Sequence, residues 1–95
     1  MAQIKTIGHH ATTIDTNNDM IRVTYHNTVV VKFNAGIIIL NTGGYYTHTT
    51  KVRMNQASNQ YNLGYKVFQK DFNWFVQYKN EVIPFRGNAI NLSRN

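Results

Sequence analysis

Residues 42–56 read Thr-Gly-Gly-Tyr-Tyr-Thr-His-Thr-Thr-Lys-Val-Arg-Met-Asn-Gln, and this stretch separates two β-rich halves of the chain. Gly43 and Gly44 can adopt backbone angles that other residues avoid, so the chain can reverse sharply at this pair. Thr49 or Thr50 then stands where a hydroxyl would accept a hydrogen bond from a free backbone N–H of a first helical turn. The stretch therefore predicts a sharp reversal that leads directly into a helix.

Apolar and polar residues alternate in short runs on both sides of this reversal, which predicts antiparallel strands. Residues 37–40 are apolar on both faces, so their strand is expected at the centre of a sheet. The predicted strands, about six in number, cover residues 20–26, 28–33, 37–40, 65–70, 74–78 and 82–85. Pro84 suits an edge strand. The order β-β-β-α-β-β-β predicts an α+β fold, in which one short helix packs on a small twisted antiparallel sheet.

The predicted helix has one narrow apolar stripe. Met54, Ala57 and Tyr61 recur at helical spacing and are expected to pack on the sheet. Gly64 is the predicted end of the helix. The polar residues that are expected to face water are Lys51, Asn55, Ser58, Asn59 and Asn62.

A single domain is expected from the length of 95 residues, and its predicted limits are residues 20–86. Residues 1–19 read as a polar N-terminal segment. Within it, residues 3–7 alternate like an edge strand, and residues 9–18 are predicted to form a loop. Residues 87–95 read as a polar tail.

The charge distribution favours an anionic partner. The net charge is +6, and no aspartate or glutamate occurs in residues 20–70. The basic residues of this acid-free block are Arg22, Lys32, Lys51, Arg53, Lys66 and Lys70. Such a block predicts binding to a polyanion or to an acidic protein surface, although a soluble basic protein without such a partner has the same composition.

Aromatic residues beside these cations indicate base stacking. Tyr45 and Tyr46 follow the Gly-Gly pair, and Phe72 lies in a predicted turn. An exposed ring of this set beside Lys51, Arg53 and Lys70 would form a stacking platform with phosphate contacts. Alternatively, the two tyrosines cover the open end of the sheet. The residues predicted to bind nucleic acid or an acidic partner are Arg22, Lys32, Tyr45, Tyr46, Thr49, Thr50, Lys51, Arg53, Lys66 and Lys70.

The Gly-Gly reversal is a further candidate for anion binding. The free amides of a helix N-terminus attract phosphate, and Lys51 would add a positive charge there. The stretch lacks the P-loop pattern Gly-x-x-x-x-Gly-Lys-Ser/Thr, however. The structural alternative, in which the glycines make the turn and a threonine caps the helix, stays open.

No catalytic residue, metal site or cofactor is predicted, and the chain is not expected to be an enzyme. It has no cysteine, and neither a Ser-His-Asp order nor a Gly-x-Ser-x-Gly elbow occurs. His9 and His10 are adjacent, so on an extended chain they point to opposite sides and rarely bind one metal ion together. The longest apolar run, residues 36–40, is too short to span a bilayer, and no membrane partner is expected.

Several stretches together resemble a family of small bacteriophage proteins across residues 20–85. They read Val-Val-Val-Lys-Phe at 29–33, Ile-Leu-Asn-Thr-Gly-Gly-Tyr at 39–45, Thr-His-Thr-Thr-Lys-Val-Arg-Met-Asn at 47–55, Val-Phe-Gln-Lys at 67–70 and Trp-Phe-Val at 74–76. Tyr45 departs from the tryptophan that is more usual in that family. The resemblance implies a phage accessory protein in the host cytoplasm and carries no assigned activity with it.

Three functions remain open at this stage. The first is sequence-tolerant binding of nucleic acid by the basic central half. The second is inhibition of a host protein, as in an anti-defence or host-takeover factor, which would place the basic face on an acidic or nucleic-acid-binding patch. The third is a structural or assembly role in the virion, with self-association through an edge strand at residues 3–7 or 82–85.

Overall fold

The structure is a computed structural model that describes residues 11–44, 46–85 and 87–94. Short antiparallel strands and one helix account for most of these residues, so the predicted α+β class is confirmed. The elements in chain order are β1 (Thr12–Asn17), β2 (Met20–Tyr25), β3 (Thr28–Phe33), β4 (Ile37–Asn41), α1 (His48–Tyr61), β5 (Tyr65–Lys70), β6 (Asn73–Tyr78), β7 (Glu81–Pro84) and β8 (Ala89–Ser93).

The strands form two sheets instead of the single sheet that the sequence predicts. The larger sheet has five strands in the order β1-β2-β3-β4-β8, and the smaller sheet has three in the order β5-β6-β7. All pairs of neighbouring strands are antiparallel. β4 lies inside the larger sheet, as expected for a strand that is apolar on both faces, and β7 forms an edge of the smaller sheet.

Two of the strands lie where the sequence predicts none. β1 falls within residues 9–18, which the sequence predicts as a loop. No apolar alternation marks this strand, since five of its six residues are exposed. β8 falls within the predicted polar tail at residues 87–95, but it pairs along β4 and buries Leu92. Both strands are held by backbone hydrogen bonds, and these bonds do not require a hydrophobic pattern of side chains. The edge strand predicted at residues 3–7 lies outside the described residues.

Tight turns with left-handed backbone angles join the hairpins. Both central residues have positive φ between β1 and β2 (Asn18, Asp19) and between β5 and β6 (Asp71, Phe72), as a type I′ turn requires. The turn before β7 has the same character at Lys79 and Asn80. These turns account for the antiparallel pairs β1–β2, β5–β6 and β6–β7, whereas β8 pairs with β4 from a distant part of the chain.

Helix α1 begins earlier than predicted. Thr47 is its N-cap, with φ −101° and ψ 158°, and the Thr47 hydroxyl accepts a hydrogen bond from the Thr50 backbone N–H at 3.2 Å. The prediction that Thr49 or Thr50 caps the helix is therefore wrong, because only Thr47 has the extended backbone of a cap. The helix ends at Tyr61, where Asn62 adopts the left-handed conformation before Gly64 is reached.

Polar residues of α1 bind the open edge of β5. Asn55 accepts from the Val67 N–H at 2.8 Å through Oδ1, and it donates to the Val67 carbonyl at 2.9 Å through Nδ2. Ser58 donates to the Tyr65 carbonyl at 2.7 Å and accepts from the Tyr65 N–H at 3.1 Å. The two side chains thus replace the missing neighbour of an edge strand. The prediction that Asn55 and Ser58 face water is wrong.

One hydrophobic core lies between the two sheets and the helix. Met54 and Ala57 are fully buried, as predicted, and Tyr61 packs on Phe33 with the ring centroids 5.0 Å apart. The Tyr65 hydroxyl donates to the Met54 carbonyl at 2.5 Å, and burial raises the pKa of Tyr65 above its ordinary value. The core cluster comprises Val23, Val30, Val31, Phe33, Ile38, Leu40, Met54, Ala57, Leu63, Tyr65, Val67, Trp74, Val76, Tyr78, Phe85 and Leu92.

Arg53 is buried and links α1 to the larger sheet. Its residue exposure is only 8%, and its Nε donates to the Thr12 hydroxyl at 2.9 Å. Its Nη1 donates to Gln56 Oε1 at 3.1 Å, and the guanidinium lies 5.7 Å from the centroid of the Tyr25 ring. Among the described residues, the one ion pair joins Arg22 to Asp15, so no carboxylate neutralises Arg53. The cation is held by neutral acceptors and a ring face.

We predict that Ser58→Ala destabilises the fold by about 1–3 kcal/mol, because it leaves the buried Tyr65 N–H and carbonyl without their partner. Urea unfolding measures this change. Asn59→Ala is the matched control, since Asn59 is the next residue of the same helix and is exposed. Equal stabilities of the two variants would contradict the role given to Ser58.

We also predict that Arg53→Glu lowers the free energy of unfolding by about 3 kcal/mol or more, because it buries a carboxylate beside groups arranged to accept hydrogen bonds. Lys51→Glu reverses the same charge two residues away at a half-exposed position and should change stability much less. Thermal unfolding of both variants compares the two effects. A loss of equal size in both would show that Arg53 is not held as described.

Candidate functional site

Arg22 and Lys32 lie together on the outer face of the larger sheet, which is the face opposite the core residues Val23 and Val31. The two residues are directly opposed in the pairing of β2 with β3. Arg22 Nε donates to Asp15 Oδ1 at 2.7 Å in an exposed ion pair. The basic block contains no acid in its own sequence, but the β1–β2 hairpin brings Asp15 back beside Arg22.

Lys51 and Arg53 point to different sides of α1. Lys51 Nζ donates to Gln69 Oε1 at 3.2 Å at the exposed end of β5, whereas Arg53 reaches Thr12 on β1 inside the fold. Residues two positions apart on a helix are separated by about 200° of rotation, so they do not share a face. The expected solvent-facing surface with both Lys51 and Arg53 is absent from the described residues.

The Gly-Gly reversal stands beside a cavity of about 540 Å³ at the start of α1. Gly43 has φ 64°, and a Cβ added there would lie 2.7 Å from the Thr28 hydroxyl, so this position needs glycine. The Thr50 hydroxyl is buried and accepts from the Thr47 hydroxyl at 3.0 Å. The cavity is lined by Tyr25, His26, Asn27, Thr28, Val30, Thr42, Thr47, Thr49 and Thr50, with no lysine or arginine among these residues.

Tyr46 takes part in an aromatic row at the end of the smaller sheet. It is 45% exposed, its hydroxyl donates to the Gly87 carbonyl, and its ring meets Trp74 edge-on with centroids 5.2 Å apart. Trp74 in turn meets Phe85 edge-on at 6.1 Å. The interpretation in which Tyr46 covers the end of a sheet fits this position. Tyr45 lies outside the described residues.

The remaining two predicted cations, Lys66 and Lys70, flank an aromatic residue on the smaller sheet. Side chains alternate along a strand, so Lys66, Phe68 and Lys70 share the face of β5 that points away from the core. Phe68 lies directly opposite Phe75 of β6, with ring centroids 5.6 Å apart and planes 24° apart. The rows of this surface, which we call the outer face of the smaller sheet, are Lys66, Phe68 and Lys70, then Asn73, Phe75 and Gln77, then Val82 and Pro84.

This outer face combines stacked aromatic rings with cations. Both Phe68 and Phe75 are partly exposed, and Lys66 and Lys70 are exposed. By the rise of a β-strand the two lysines are about 13 Å apart, with Phe68 between them. No acidic residue belongs to these rows. Aromatic rings on a sheet between flexible cations can stack bases while the cations meet phosphates.

Phe68 and Phe75 are the residues that sequence reasoning missed, because most aromatic residues of so small a domain are expected in its core. The alternation of side chains along β5 could have shown that Phe68 faces solvent. It shares its face with Lys66 and Lys70, and a strand face with a lysine on each side is a solvent face. The pairing with Phe75 required the register of the hairpin, which the tight turn at residues 71–72 sets.

The described residues form neither a metal cluster nor a membrane-spanning helix. Within the described ranges, no group of three or more histidine, cysteine, aspartate or glutamate side chains is arranged to hold a metal ion. His9 and His10 lie outside those ranges. The one described helix is neither long enough nor apolar enough to cross a bilayer.

The comparisons with known proteins identify a phage family. A family model described as the Kyanoviridae Gp96 protein matches residues 1–91. No curated protein and no solved structure matches the chain. The match covers nearly the whole chain, which confirms that it is a phage protein, as the resemblance implies. The chain therefore belongs to the Kyanoviridae Gp96 protein family.

Proposed function

We propose that this chain is a non-enzymatic phage protein that binds single-stranded nucleic acid, with little sequence preference, in the host cytoplasm. The binding surface is the outer face of the smaller sheet. The proposal rests on Phe68, which lies between Lys66 and Lys70 on β5 and stacks on Phe75 of the neighbouring strand. Each element of this surface has a separate role in binding.

The aromatic pair supports stacking of bases. Phe68 and Phe75 each present a partly exposed ring on a rigid strand, so little side-chain freedom is lost when a base stacks on them. Every base has a π-face, so stacking gives affinity without strong sequence preference. Bases of a duplex are already stacked and paired, which makes a single strand the better ligand for such a surface.

The lysines support contacts with the backbone phosphates. Lys66 and Lys70 are exposed and have no ion-pair partner among the described residues, in contrast to Arg22 on the larger sheet. A phosphate contact releases counterions, and binding becomes weaker as salt rises. The net charge of +6 adds a long-range attraction that is independent of sequence.

The double substitution Lys66→Gln with Lys70→Gln should weaken binding to all oligonucleotide sequences alike. The salt dependence of log Kd should also become shallower by about 0.7 for each phosphate that a lysine no longer neutralises, or about 1.4 for the two lysines together. Fluorescence polarisation of a labelled oligothymidylate at several salt concentrations measures both changes.

The matched control is Arg22→Gln with Lys32→Gln, which removes the same number of charges from the outer face of the larger sheet. It should leave the slope nearly unchanged. If instead the control bound more weakly and the Lys66 and Lys70 variant did not, the binding surface would belong to the larger sheet. If the unaltered protein bound no oligonucleotide at low salt, the proposal would be overturned.

Docking on a host protein is the second candidate function, and the apolar part of the same face favours it. Val82 is 57% exposed on the edge strand β7, with Pro84 beyond it on the same face and Phe75 opposite Pro84. An exposed apolar patch with a basic rim suits an acidic protein surface. A pull-down from host lysate with and without nuclease separates the two candidates. A single partner retained after nuclease treatment, and no longer retained by Val82→Lys, would favour the protein ligand.

An assembly role in the virion remains a third proposal. β7 is an edge strand of the smaller sheet, and its outer backbone groups could pair with another copy. Pro84 has no N–H to donate, which limits such pairing to the first part of the strand. Light scattering that showed only monomers across a wide concentration range would remove this alternative.

A further inference from the structure

Phe72 projects from the tip of the hairpin that joins β5 to β6. Lys70 and Asn73 close this hairpin as a pair, so Asp71 and Phe72 are its only turn residues. Phe72 is 94% exposed, the highest value among the exposed large hydrophobic residues of the described chain. It stands beside a cavity of about 420 Å³ that is lined by Tyr46, Gln69, Phe72, Asn73, Trp74 and Phe85.

The backbone at this tip is unfavourable for a phenylalanine. Asp71 has φ 52° and Phe72 has φ 68°, so both occupy the left-handed region. Turns of this kind prefer Asn-Gly or Asp-Gly, because glycine adopts positive φ without a steric cost. A bulky residue at positive φ is strained, and this one regains almost nothing by burial. Glycine at position 72 would therefore stabilise this turn more than phenylalanine does.

The exposure of Phe72 differs in kind from that of the aromatic pair on the outer face. Phe68 and Phe75 stack on each other, so each offers one ring face at most. Phe72 has both ring faces open to solvent. A ring with two free faces can be held between two bases, whereas a ring with one face covered by another ring can stack only one base.

We propose that Phe72 is a wedge that inserts between two consecutive bases of a strand bound on the outer face of the smaller sheet. This inference rests on the proposed function. Lys70 precedes the turn and belongs to that face, so a strand that follows the lysines reaches the hairpin tip. Asp71 places an exposed carboxylate at the tip. Because this negative charge repels phosphates, the tip favours contact with bases. The occupant is a nucleic acid, because two consecutive bases that separate leave a gap between parallel π-faces that one phenyl ring fills.

The test uses Phe72→Gly and an oligonucleotide that carries 2-aminopurine between adenines. The unaltered protein should raise the 2-aminopurine fluorescence at saturation, since insertion separates the probe from a neighbouring base. Phe72→Gly should bind the oligonucleotide about tenfold more weakly, as expected when base stacking is removed. At saturation it should raise the fluorescence little. Its melting temperature should equal or exceed that of the unaltered protein, because glycine relieves the turn.

Phe72→Trp is the conservative variant and should restore both the affinity and the fluorescence change. A Phe72→Gly protein that binds with unchanged affinity and gives the full fluorescence change would overturn the wedge, while the role of Lys66 and Lys70 would stand. A Phe72→Gly protein with a clearly lower melting temperature would overturn it as well, because Phe72 would then have a structural role. Failure of the unaltered protein to bind any oligonucleotide would overturn the wedge together with the proposed function.

Discussion

The fold depends on the hydrogen bonds between two side chains of α1 and the backbone of β5. Asn55 and Ser58 satisfy alternate residues along the edge of that strand, Val67 and Tyr65. Among the described strands, none of the larger sheet pairs with β5, so the helix joins the two sheets. The same helix contributes Met54 and Ala57 to the core that both sheets share. An edge that is closed from within the chain is also protected from pairing with other chains.

This arrangement decides which residues are left exposed. The core occupies the inner faces of both sheets, and α1 covers the β5 edge, so the outer face of the smaller sheet stays open. Arg53 is used inside the fold, where it holds β1 against the helix through Thr12. Arg22 is matched by Asp15. Of the predicted cations, Lys66 and Lys70 are the pair that stands beside partly exposed aromatic rings, on the hairpin of β5 and β6.

That hairpin combines a rigid platform with a strained tip. The register that places Phe68 opposite Phe75 follows from a two-residue turn with positive φ at both positions. The turn also holds Phe72 away from the protein surface. One short segment thus carries a pair of stacked rings, two exposed lysines and a free aromatic ring, and its backbone strain lies at the turn.

The sequence by itself determined the features that depend on neighbouring residues: the alternation of most strands, the helix with Met54 and Ala57 inward, the tight turns and hence the α+β class. These follow from local periodicity and turn chemistry. Only the tertiary structure decided the division into two sheets, the pairing of β1 and β8, and the burial of Arg53 and Ser58. Polar side chains look alike in a sequence whether they meet water or a distant backbone group, and the choice between them is made by residues far away along the chain.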